Sequence, residues 1–248
     1  MVPKSVVSIG NSAFSGCSNL ENINFDKEPK LTIIGNYSFY GCCNLETISI
    51  PSSVSEIGNK AFYNCSNLGN ITFEEEPKLK IIGESSFYGC CILETISISS
   101  SVFEIGNKAF YECSNLKNIT FEEESNLTII GNYSFYGCSK LKSIIFNEQT
   151  NLITIGDFAI SNCSNLETIS FCGCNQLKSI SIPSSVFEIG NKAFYECSNL
   201  ENITFEEESN LTNIGESTFY RCCNLETISI PSSVSNIGNK AFFMNVQI

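Results

Sequence analysis

The dipeptide Ile-Gly returns along this chain with its glycine at positions 10, 35, 58, 83, 106, 131, 156, 190, 215 and 238. The steps are 25, 23, 25, 23, 25, 25, 34, 25 and 23 residues. A period in the low twenties specifies a solenoid: no unit that short buries its own apolar face, and only stacking closes the core. The rest of each unit keeps register. Three residues after the glycine stands a small side chain, as at Ala13, Ser38 and Ala61, and a phenylalanine follows it in every unit but the one with Ile160. Seven after the glycine stands a cysteine, until Asn245 replaces it in the last unit.

Each cysteine leads into a Leu-x-x-Ile-x-Phe/Ile stretch, such as Leu68-Gly-Asn-Ile71-Thr-Phe73. That alternation puts apolar side chains on one face and small polar ones on the other, the mark of a strand. A second apolar pair, as in Val54-Ser-Glu-Ile57, turns inward on a far wall, and Gly58 then opens a corner. Asn-Lys-Ala-Phe-Tyr is too short for a stable helix and reads as a single helical or 3₁₀ turn. The expected fold is a β-rich repeat solenoid with parallel strands: one unit over residues 1–248, of about ten coils of 23 or 25 residues. The 34-residue step has its own explanation. Cys163 to Phe171 recurs eleven residues later as Cys174 to Ile182, so a short repeat near 172–182 adds one strand without its return wall, a local bulge.

The run from Leu45 to Cys65, Leu-x-x-Ile-x-Ile-Pro-x-x-Val-x-x-Ile-Gly-x-x-Ala-Phe-x-x-Cys, resembles the BspA-like leucine-rich repeat family, and the motif covers the chain from Pro3 to Phe242. The resemblance implies a right-handed leucine-rich-repeat superhelix. It also implies a place on the cell surface or outside the cell, in adhesion and host-protein binding.

Composition removes other classes. Fourteen Lys and Arg against 26 Asp and Glu give a formal net charge of −12, which argues against a nucleic-acid partner. No run of about 18 apolar residues is present, so membrane insertion is not expected. The chain has no histidine, which excludes Ser-His-Asp and Cys-His catalysis and imidazole zinc ligands. No enzyme and no cofactor is expected. The carboxylates gather in loop triplets, Glu74–Glu76, Glu122–Glu124 and Glu206–Glu208, mostly in alternate coils about 10 Å apart at strand spacing. That separation is too wide to share a calcium ion, the adjacent Glu122–Glu124 and Asn147–Gln149 excepted, and the triplets read as a solvated acidic ridge.

Ten of the 14 cysteines form a column: Cys17, Cys42, Cys65, Cys90, Cys113, Cys138, Cys163, Cys174, Cys197 and Cys222. Parallel Cβ vectors about 4.8 Å apart suit free buried thiols better than disulfides, which need about 3.5–4.5 Å. A structural ladder of free thiols is expected, with no metal, since Cys172-Gly-Cys174 with Cys163 lacks paired zinc spacing.

The strand face is the expected binding surface. Its outward positions include Asn70, Thr72, Thr95, Ser97, Asn118, Thr120, Ser143, Ile145, Asn202 and Thr204, an uncharged hydroxyl and amide surface suited to a protein or glycan ligand. The same residues also simply suit exposed strand positions. A tyrosine-rich edge around the turn segments is the second candidate. Nine Asn-x-Ser/Thr sequons, three of them at Asn70, Asn118 and Asn202 on the strand face, only slightly exceed chance and carry no argument. The reading is a non-enzymatic recognition module. An intracellular scaffold or subunit of a larger assembly is the alternative, since the N-terminus reads as repeat rather than leader. Neither end resembles a capping coil, so end-to-end association, or a place within a longer array, is expected.

Overall fold

The computed structural model describes residues 1–146 and 151–243. Asn147–Gln149 and Asn245 lie outside them. Among the described residues the chain forms 19 strands of two to four residues and no helix. Every strand pair is parallel and joins residues one repeat apart, for example Ile48 to Ile71, Ile96 to Ile119 and Ile57 to Ile82. The fold is a parallel β-solenoid of about ten turns.

Each coil has three walls. A long-strand wall carries the Leu-x-x-Ile-x-Phe/Ile segments, such as Thr47–Ile50, Asn70–Phe73, Thr95–Ile98 and Asn118–Phe121. A short-strand wall runs unbroken through seven coils, from Ser8–Ile9 to Thr154–Ile155. The third wall holds the Gly-x-x-Ala/Ser-Phe segments, and here the expected helical or 3₁₀ turn is corrected. Alternate N–H groups leave the coil: those of Tyr37, Phe39 and Gly41 donate to Asn59, Ala61 and Tyr63 of the next coil at 2.8–2.9 Å. The residues between close turns within the coil, Ser38 to Gly35, Tyr40 to Tyr37 and Cys42 to Phe39. A helix points all its N–H groups along its own path and cannot serve two coils. Positive φ at Tyr37 (57°) and Gly41 (69°), the third residues of their turns, flips every second peptide along the stack.

The columns are literal. Phe39, Phe62, Phe87, Phe110 and Phe135 are fully buried, with successive ring centroids 5.1–5.3 Å apart and nearly parallel planes. Asparagine after the corner glycine forms a second column. Asn36 Oδ1 accepts the N–H of Asn59 at 2.7 Å, and Asn107 Oδ1 that of Asn132 at 2.8 Å. The corner has no room for a side chain, since a Cβ on Gly131 would lie 2.5 Å from the Asn107 nitrogen.

The 11-residue insertion does not make a bulge. It rotates the stack by one wall. The long strand Ser179–Ile182 comes to lie beside the short-strand wall at Thr154–Ile155, while Thr168–Ser170 meets the short strand Glu188–Ile189. Phe171 N–H donates to Ala193 and Gly173 N–H to Tyr195, so a strand end of the first array continues as the turn wall of the second. The aromatic columns record the change: Phe121, Phe146 and Phe171 at strand ends run straight into Phe194, Phe219 and Phe242 of the turn wall. The physical reason is the segment Phe171-Cys-Gly-Cys174, whose turn and positive φ at Gly173 (73°) repeat those of Phe39-Tyr-Gly-Cys42. Phe171 serves as strand end and turn residue at once, and the coil path skips a wall.

Candidate recognition surface

The long-strand wall exposes the residues the pattern assigned to it. Asn70, Thr72, Thr95, Ser97, Asn118, Thr120 and Ile145 are exposed and Ser143 half-buried, while Ile71, Ile96, Ile119 and Ile144 between them are buried. Cross-coil register sets Asn118 beside Thr95, Thr120 beside Ser97, and Ile145 beside Ser170. The face is not one continuous row. Asn202 and Thr204 are exposed but belong to the rotated array, beside Ser179 and Ser181, and so continue the short-strand side. The ten residues expected on one strand face therefore divide between two walls, eight on the first and Asn202 and Thr204 on the second.

The first strip carries relief. Asn70–Phe73 and Thr95–Ile98 are neighbours yet belong to separate hydrogen-bonded sheets. A cleft of about 850 Å³ opens there, floored by Asn70, Thr72, Thr95 and Ser97 and walled by Glu74–Glu76 and Glu122. A second, of about 320 Å³, lies one coil below, against Asn24, Thr47, Ser49 and Thr72. The acidic loops are therefore more than a solvated ridge. Glu74, Glu122 and Glu206 each accept the backbone N–H of a serine one coil earlier, Ser52, Ser100 and Ser184, at 3.0–3.2 Å. This holds one carboxylate of each triplet in place as a rim and leaves Glu75 and Glu123 exposed. Sequence reasoning missed the clamp, although its signal, a first glutamate 22 residues after the serine, recurs three times.

The cysteines serve the interior. Nine of the ten column members are buried; Cys17, in the first coil, is exposed, against the expectation of a wholly buried ladder. The ladder is also two ladders, one ending at Cys163 and one running from Cys174 through Cys197 to Cys222, separated by the wall rotation. Eight of the ten column thiols, all but Cys17 and Cys174, donate to a phenylalanine carbonyl of the preceding coil, as Cys65 to Phe39 and Cys113 to Phe87 at 3.1–3.2 Å, and Cys197 finds the strand-end carbonyl of Phe171. That bond explains a thiol where an alanine would fit. Burial pushes Cys42 up to about 11 and Cys222 up to about 12, and drives Cys90 and Cys138 well above their ordinary range. Such thiols are poor nucleophiles and poor metal ligands. The ten column cysteines form no disulfide, and no cluster of metal-ligating side chains occurs among the described residues.

The tyrosine edge is a ladder as well. Tyr40, Tyr63, Tyr88, Tyr111 and Tyr136 stack at 4.5–5.0 Å on the turn wall, and burial first, then the carboxylate of Glu112, pushes Tyr88 up to about 12. Lys60 lies over the Tyr37 ring at 5.4 Å and Lys108 over Tyr133 at 5.8 Å. No helix among the described residues is long and apolar enough to cross a membrane.

A family model described as the BspA type leucine rich repeat region matches residues 1–78, 76–172 and 168–248, in six copies. The chain belongs to this family. Among solved structures, the pneumococcal vaccine antigen PcpA is similar at 22% identity and a TM-score of 0.50, over 98% of this chain and 77% of that one. A leucine-rich repeat protein from Bacteroides ovatus is similar at 23% identity and a TM-score of 0.46, over 96% of this chain and 79% of the other. No curated protein matches the chain.

Proposed function

We propose that this BspA-type repeat protein is a non-enzymatic recognition module that binds an extended segment of a partner protein along the long-strand wall of residues 22–170. Its place is the cell surface or the extracellular space, in adhesion. The observation that carries the reading is the coincidence of the larger strand-face cleft with Asn70, Thr72, Thr95 and Ser97, at the break between hydrogen-bonded sheets, and of the smaller one with Asn70 and Thr72 beside it. Hydroxyl and amide groups on the floor offer donors and acceptors to a main chain, and the clamped acidic rim favours a segment with positive charge. Few side chains there are aromatic and none is arginine, so affinity rests on area and main-chain bonding rather than one anchor.

The test uses a partner captured by the chain on intact cells or matrix proteins and then measured in isolation. Thr72→Glu with Thr120→Glu lowers its affinity at least tenfold, while Thr204→Glu, on the other wall, leaves it within twofold. Loss with Thr204→Glu and retention with the double variant contradicts the assignment.

A further inference from the structure

The wall rotation brings together two features that stay apart everywhere else, an acidic loop of the second array and the aromatic turn wall of the first. They enclose a cleft of about 860 Å³ lined by Tyr136, Phe158, Ser161, Ser184, Phe205, Glu206 and Glu207, among others, with no lysine or arginine among the lining residues. Glu206 is fixed there by two donors, the Ser161 hydroxyl and the Ser184 N–H.

Two further observations say what fits. The first is an exposed ring left without its cation. Phe158 stands at the positive-φ position of its coil (54°), where Tyr37 and Tyr133 stand in theirs, and is 49% exposed. Tyr37 and Tyr133 are each covered by a lysine from the same column of an adjacent coil. On one side Phe158 stacks on Tyr133 at 5.2 Å; on the other, Lys192 is next in sequence register. The rotation carries Lys192 away, and it lies over Tyr195 at 5.5 Å instead. Glu206 and Glu207 stand at the cleft in its place. The second observation is a row of backbone donors. In the coil below, Tyr133, Phe135 and Gly137 donate their N–H groups to the next coil, but their equivalents Phe158, Ile160 and Asn162 have no such partner among the described residues, because no turn wall follows them.

We infer that this junction cleft takes a basic segment of a partner polypeptide. Main-chain carbonyls of the segment accept from the N–H groups of Phe158 and Asn162, the two members of the row that line the cleft. A guanidinium or ammonium group fills the position over Phe158 that a lysine holds elsewhere, facing the carboxylates of Glu206 and Glu207. Guanidinium is favoured over ammonium because it stacks on a ring and bonds a carboxylate with the same planar group. The site lies off the long-strand wall, so it stands or falls independently of the strand-face reading.

The experiment titrates the full chain, followed by amide NMR, with acetyl-Gly-Arg-Gly-amide, its citrulline counterpart of equal shape and no charge, and chitotriose as a neutral glycan. The arginine peptide is expected to shift the amide signals of Phe158 and Asn162 and to bind at least about threefold more tightly than the citrulline peptide, the step one exposed cation–π contact gives. Phe158→Leu and Glu207→Gln, each with an otherwise unchanged spectrum, weaken the arginine peptide by a similar factor, and about 0.5 M salt weakens it further. Equal binding of the citrulline peptide overturns the inference. So does chitotriose moving the same signals as strongly, or an arginine response confined to the loops at Glu75 and Glu123.

Discussion

The corner glycines give the wall rotation a mutational signature with opposite signs at two chemically identical positions. In Ile130-Gly131 an added Cβ meets the Asn107 nitrogen at 2.5 Å and the Gly106 carbonyl carbon at 2.7 Å, against an ordinary contact limit near 3.4 Å. Something must retreat by about 0.9 Å, and the obstacle is backbone held in the preceding coil by its own ladder. Overpacking of that kind costs about 2–3 kcal/mol. In Ile189-Gly190 the same Cβ meets nothing within 4 Å, because the preceding coil is rotated away, and the backbone there is not in the left-handed region. Gly190→Ala therefore stabilises by about 0.4–1 kcal/mol through the unfolded chain. The two variants are to be compared by urea denaturation followed by tyrosine fluorescence and far-ultraviolet circular dichroism, with coincident curves as the condition for quoting free energies. Equal destabilisation at both positions would refute the reasoning, because an uninterrupted stack crowds both corners alike.

Phe110→Ala removes a fully buried ring stacked on both sides, and about 4 kcal/mol should be lost in the same denaturation assay; a loss under 1 kcal/mol argues that the column does not form. A thiol reagent on the native chain should modify Cys17, Cys43, Cys91 and Cys223 rapidly and the nine buried column thiols only in denaturant; rapid reaction of Cys113 or Cys138 would contradict their packing. The buried thiols also set an alkaline limit. Their folded pKa is raised above the unfolded value near 9.0, so the folded state holds more protons above that pH and stability falls as pH rises from about 9 through the range of Cys42, about 11, and Cys222, about 12. Unfolding midpoints that rise between pH 9 and 11 would contradict this sign.

The columns were legible in the sequence because a side chain that must sit on its own copy has to recur at a fixed step: Phe62, Phe110 and Cys113 announce their surroundings by position alone. The polar strand face followed from Ile-x-Phe/Ile alternation for the same reason. The wall rotation was harder to read. Leu166 to Phe171 and Leu177 to Ile182 look like two strands of one column, and only the identity of Phe171-Cys-Gly-Cys174 with the turn segment Phe39-Tyr-Gly-Cys42 signals that Phe171 belongs to two walls. What the rotation juxtaposes, Phe158 against Glu206, pairs a turn-wall position with an acidic-loop position that regular stacking keeps on different walls, so no repeated pattern along the chain discloses it. The turn wall defied propensity because its alternate N–H groups serve a neighbouring coil, a demand absent from the local sequence.

The most direct measurement is a nuclear Overhauser experiment on the chain with carbon-13 in its phenylalanine rings and isoleucine methyls. A stack that turns by one wall at the insertion places the Phe171 ring against Phe194, at a centroid distance of 5.5 Å, and predicts a strong ring-to-ring cross-peak. A Phe171 ring that instead contacts Ile182, its neighbour in an unrotated strand column, and shows no cross-peak to Phe194 would contradict the rotated architecture and the junction cleft that depends on it.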